Sequence, residues 1–73
     1  MFPYYRKLNG KAIWYKIVSE KEFHEIYRVG GRIQIDLIEA IKYPEMLRIQ
    51  DMINCHEDYW TKETEDSFLE SLA

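Results

Sequence analysis

A single cysteine, Cys55, rules out an internal disulfide framework. Secreted chains of 73 residues usually need such staples, so a reducing cytosol is the expected setting. No stretch approaches the roughly 18 consecutive apolar residues of a membrane-spanning helix. Nor does the start read as a signal peptide, because Pro3, Arg6 and Lys7 interrupt it. A basic excess is also missing. The net charge is −3, which argues against general affinity for duplex DNA. With only three glycines and two prolines there is none of the compositional bias of a linker or disordered chain.

What remains is globular: 47% hydrophobic, 32% charged and 15% aromatic residues. The length allows one domain, which buries about 60% of its unfolded surface, so large rings suit a core with few positions. Charge is unevenly placed. Residues 1–18 carry Arg6, Lys7, Lys11 and Lys16 with no acid, a local +4, and the remainder carries −7.

Residues 4–8, Asn9-Gly10 and 11–18 read as a β-hairpin, because Asn-Gly accepts the positive φ of a type I′ turn. A two-residue loop would set Leu8 opposite Lys11, Arg6 opposite Ile13, Tyr5 opposite Trp14 and Tyr4 opposite Tyr15. The second strand is apolar on both sides, with Trp14 and Val18 on one and Ile13, Tyr15 and Ile17 on the other. That pattern predicts a central strand covered on both faces.

Ser19-x-x-Glu22 has capping-box form, and Phe23, Ile26 and Tyr27 follow at i, i+3, i+4. This predicts a helix, stopped by Gly30-Gly31. Alternation at Ile33, Ile35 and Leu37 predicts a strand over 32–43, with Ile38 and Ala40 on its second face. A helix over 36–43 is the competing reading. Pro44 then opens a predicted helix over 44–54 that places Met46, Ile49, Met52 and Ile53 together. A strand using Leu47, Ile49 and Ile53 competes with it.

Residues 55–58 form a polar connection, 59–63 a short strand, and Thr64 caps a last helix held by Phe68, Leu69 and Leu72. The expected order is β-β-α-β-α-β-α. The expected class is α+β, with a twisted, mainly antiparallel sheet packed with short helices. A stretch over 59–71 also echoes 14–26 at an offset of 45, aromatic pair for aromatic pair and Phe68 for Phe23. Strand-plus-cap grammar produces such matches without duplication.

Chemistry-bearing residues are sparse. Cys55-His56-Glu57-Asp58 holds metal-binding types, yet structural zinc wants four ligands with spaced pairs, and no second cysteine exists. A Cys55–His56 nucleophile would need an imidazole aimed at the sulfur and a third orienting group. His24 is expected on a helix surface, paired loosely with Glu20. The acids cluster where they complement predicted helix starts. No catalytic, cofactor-binding or metal residue is assigned, and no enzyme activity is expected.

The leading expectation is a small cytosolic protein-interaction module of unassigned pathway, with homodimerisation as one form of it. Three short helices cannot fully cover two sheet faces, and bare apolar surface marks interfaces. Ile38 and Ala40 are the expected interface residues. The alternative is single-stranded nucleic-acid binding by the hairpin, with Arg6, Lys7, Lys11 and Lys16 tracking the backbone and Tyr5 and Trp14 stacking on bases.

Overall fold

A computed structural model describes residues 2–55 and 58–72. Its elements are β1 (Tyr4–Leu8), β2 (Ile13–Ser19), β3 (Glu22–Val29), β4 (Arg32–Glu39), α1 (Tyr43–Asn54), β5 (Trp60–Glu63) and α2 (Glu65–Leu72). The α+β class therefore holds, but the order is β-β-β-β-α-β-α. One antiparallel sheet has the strand order β4-β3-β2-β1-β5. As its two-sided apolar pattern predicts, β2 is the central strand.

The main correction is the first predicted helix, which is β3. Phe23 and Tyr27 lie on one face of this strand and Ile26 on the other, because neighbouring residues alternate in a sheet. A strand covered on both sides loses its simple alternation and can mimic helical spacing. The Ser19 hydroxyl caps a turn, not a helix: it accepts a hydrogen bond from the Lys21 amide at 3.1 Å. Gly30-Gly31 likewise is no helix stop. Val29 pairs with Arg32 across these two glycines, and Gly30 alone takes positive φ, +62°. Those φ signs are the ones a type II′ hairpin turn requires.

The first hairpin forms, with a longer loop than expected. Lys7 pairs with Trp14, Arg6 with Tyr15, Tyr5 with Lys16 and Tyr4 with Ile17. The partners of Arg6, Tyr5 and Tyr4 are thus each displaced by two residues from those expected. A shift of two leaves each side chain on its expected face, whereas a shift of one would have inverted them all. Positive φ occurs at Gly10, +76°, and not at Asn9, so the turn is not type I′.

Helix α1 covers one face. Ile49 and Met52 bury themselves against Tyr15, Ile17, Phe23 and Trp60. Helix α2 covers part of the other, where Phe68 packs on Tyr5, Trp14 and Ile26, with Leu72 beside it. Thr64 caps α2 as expected: its Oγ1 accepts from the Ser67 amide at 3.0 Å, and Ser67 Oγ accepts from the Thr64 amide at 2.9 Å. Leu69, expected inward, is exposed. The echoed stretches differ, since 14–26 runs strand to strand and 59–71 runs strand to helix.

Among the described residues, no helix is long and apolar enough to cross a membrane. Phe23 is fully buried, so Phe23→Ala should cost about 3–5 kcal/mol. Leu69→Ala should cost under about 0.5 kcal/mol. Urea denaturation of both variants checks the assignment of inside and outside.

Candidate functional site

A buried cation fixes α1 to the sheet. Arg6 on β1 is 5% exposed and donates from Nε to the Met52 carbonyl at 2.8 Å. Its Nη2 reaches the Ile53 carbonyl at 3.5 Å, and Nη1 donates to the Tyr5 carbonyl at 2.9 Å. The last turn of α1 has no basic residue of its own, so Arg6 satisfies its terminal carbonyls and complements its dipole. Asp51 adds a second tie, accepting from the Trp60 indole N–H at 2.9 Å.

The third tie is a polar triad. Tyr15 donates its hydroxyl proton to Glu25 at 2.6 Å, while Arg48 of α1 donates to the Tyr15 oxygen at 2.6 Å and to Glu25 at 3.1 Å. Arg48 also lies over the Tyr15 ring, 5.1 Å from its centroid. Burial first, and then the bond to Glu25, pushes the Tyr15 phenol up to about 12. A phenol held protonated at that value is a structural hydrogen-bond donor and a poor base at neutral pH.

These placements bear on the nucleic-acid candidates. Tyr5 and Trp14 lie beneath Phe68 and are 9% and 6% exposed, and Arg6 is committed to α1. Lys7 lies over the Trp14 ring, and Lys16 is half-buried. Of the six, Lys11 alone is exposed. The hairpin therefore presents cations without free stacking rings.

The interface candidates also point inward. Ala40 is 3% exposed, and Ile38 is half-buried against the α1-side core, so neither offers a docking surface. A bare apolar row lies on the opposite face of the same strand. Ile33, Ile35 and Leu37 are 39%, 58% and 70% exposed. Their neighbours across the ladder are Arg28, Ile26 and His24 of β3. Cover from α2 stops there, where Arg28 donates to the Ser71 carbonyl at 2.7 Å. The alternation that marked this row in the sequence was legible, but which side faced water was not.

The two sheet edges differ. The β5 edge is four residues long, carries Lys62 and leads directly into α2. The β4 edge is eight residues long with neither proline nor lysine, and its pairing to β3 runs without a bulge. Natural edges are usually shortened, charged or bulged against unwanted pairing, and β4 has little of this beyond its terminal charges and Asp36.

Elsewhere the chemistry is thin. An open cleft of about 460 Å³ is lined by Ser19, Lys21, Glu22, Glu39, Ala40, Ile41 and Met46. Its Ser19 hydroxyl is the turn cap that accepts from the Lys21 amide. Cys55 is buried, with Sγ 3.8 Å from the Trp60 carbonyl, and the His56-Glu57 pair lies outside the described residues. His24 is on a strand, with Nε2 3.2 Å from Glu22 Oε2. Among the described residues no group of three or more His, Cys, Asp or Glu could hold a metal ion.

The raised Tyr15 value has a definite sign. The fold favours the protonated phenol, so its contribution is complete below the unfolded value of 10.0 and is lost as pH rises towards about 12. Thermal denaturation between those limits should show stability falling with pH. Tyr15→Phe should flatten that slope without abolishing it, because Tyr5, chiefly by burial, and Tyr27, chiefly by its bond to Asp36, are shifted upward too. An unchanged slope would contradict the triad's protonation state. Comparison of the chain with protein-family models, curated proteins and solved structures returned no match.

Proposed function

We propose that the protein is an interaction module that binds an extended protein segment by strand addition at the β4 edge. Its role is binding, not catalysis. The carrying observation is the uncovered eight-residue edge strand with its apolar row Ile33, Ile35 and Leu37. An added strand hydrogen-bonds to the free backbone groups of the edge, and alternate side chains of the ligand pack beside the row. Cross-strand apolar pairs contribute about 0.2–1 kcal/mol each, so the row supplies selectivity in addition to the backbone's affinity.

The rest of the fold supports this role. The three ties to α1 hold β1, β2, β3 and β5 against one face, so β4 is presented from a fixed frame. A preorganised edge lowers the ordering cost of association. The homodimer expected from the sequence is retained as one form of the same activity, with the interface moved from Ile38 and Ala40 to the β4 edge and its outer row.

A library of random displayed peptides panned against the protein tests the proposal. Selected peptides should alternate apolar and polar residues and shift the backbone amide resonances of β4. Ile35→Lys should weaken them by about tenfold or more, equivalent to about 1.4 kcal/mol. Ligands that bind this variant equally well, or that shift Lys7 and Lys11 in place of β4, would contradict strand addition. Tight, salt-sensitive binding of a single-stranded oligonucleotide at the hairpin would favour the alternative expectation.

A further inference from the structure

We infer that the strand added to β4 is β4 of a second copy, running antiparallel, with Ile35 on the twofold axis. The inference rests on the strand-addition reading and names its partner. The geometry limits the choices sharply. Two copies of one edge strand pair antiparallel about an axis normal to the sheet, and directly opposed residues then share a face. Registers displaced by a single residue would oppose inner to outer faces and are excluded.

Registers centred on Gln34, Ile35, Asp36 or Leu37 remain, and the last sets Ile35 against Glu39 and Ile33 beyond the end of the partner strand. With Ile35 opposite its own copy, Ile33 faces Leu37 on both sides of the axis, and all six apolar side chains are matched. On the other face Gln34 stands opposite Asp36, where an amide N–H can donate to the carboxylate. With Asp36 on the axis, two carboxylates oppose each other and Ile33 faces Glu39, both unfavourable. With Gln34 on the axis, Leu37 faces Gly31 and loses its match, while Arg32 gains Asp36. An exposed ion pair is worth about 0–1 kcal/mol, and full burial of a leucine side chain about 1.5–3 kcal/mol. The apolar match therefore selects Ile35. The resulting sheet has ten strands and two remaining edges, both formed by the short β5.

The interface is smaller than the roughly 1,200–2,000 Å² of a standard complex, so a micromolar or weaker dimer is expected. Cysteine cross-linking with diamide as oxidant reads the register. Opposed Cα atoms in an antiparallel pair lie about 4.5–5.5 Å apart, within disulfide range. Ile35→Cys should convert most of the chain to a covalent dimer. Ile33→Cys and Leu37→Cys should fail singly, since like positions are four residues out of register, about 13 Å apart. Mixed together, those two variants should form a heterodimer. Leu37 is more exposed than Ile35, so random collision would give the reverse ranking. Wild-type protein, whose only thiol is buried, is the control.

Efficient cross-linking of Gln34→Cys alone, or a dimer in sedimentation that Ile35→Cys fails to trap, would overturn the register. A strict monomer that still binds extended peptides at β4 would overturn the second copy while leaving strand addition standing. A strict monomer that binds none would remove both.

Discussion

The structure depends on one constraint: β2 is apolar on both faces and must be covered twice. Tyr15 and Ile17 need one cover and Trp14 the other. The chain meets the two demands unequally. Helix α1 runs for twelve residues and closes the first face, with Ile49 and Met52 fully buried. Helix α2 has eight residues and reaches only as far as β3. Here the Trp14 indole N–H is buried without an acceptor among the described residues, a cost this second face carries and a tightly packed core usually avoids. The outer row of β4 is bare because no further helix among the described residues covers it.

The unequal cover follows from where the polar ties fall. Arg6, Tyr15 with Glu25, and Trp60 all bind α1, and they come from four different strands. Removing Arg6 would leave α1's terminal carbonyls without their donor in a region closed to water, which is why a charge is tolerated in this core. Beyond Phe68 and Leu72, helix α2 is held by its Thr64–Ser67 cap, by the Ser67 hydroxyl donating to Glu63 and by the Arg28 contact. A short helix held mainly by one ring is marginal, and its reach sets the limit of the second core.

Much of this was legible in the residues. The central place of β2, the helix after Pro44, the cap at Thr64 and the strand beginning at Arg32 all follow from periodicity and turn chemistry. The segment 19–29 was not. Ser19 and Glu22 suit a helix start, but Ile26, Tyr27 and Val29 suit a strand, and pairing with β2 and β4 on either side decides between them. Local grammar cannot register a neighbour that the chain supplies only on folding. The same reason explains Ile38 and Ala40. Alternation separates two faces but does not say which one a helix arriving later will cover. Tyr5, Trp14 and Arg6 resembled a binding surface in sequence and are spent on the two cores.

Amide hydrogen exchange followed residue by residue at low and high protein concentration tests the β4 edge most directly. In dilute solution the amides of β2 should be strongly protected, and those β4 amides that point away from β3 should exchange freely. Raising the concentration should protect these outward amides selectively, with the rest of the sheet unchanged. Protection of the outward β4 amides that is already high and independent of concentration would show that the edge is not open. Concentration-dependent protection confined to the β1–β2 hairpin would place the interface elsewhere.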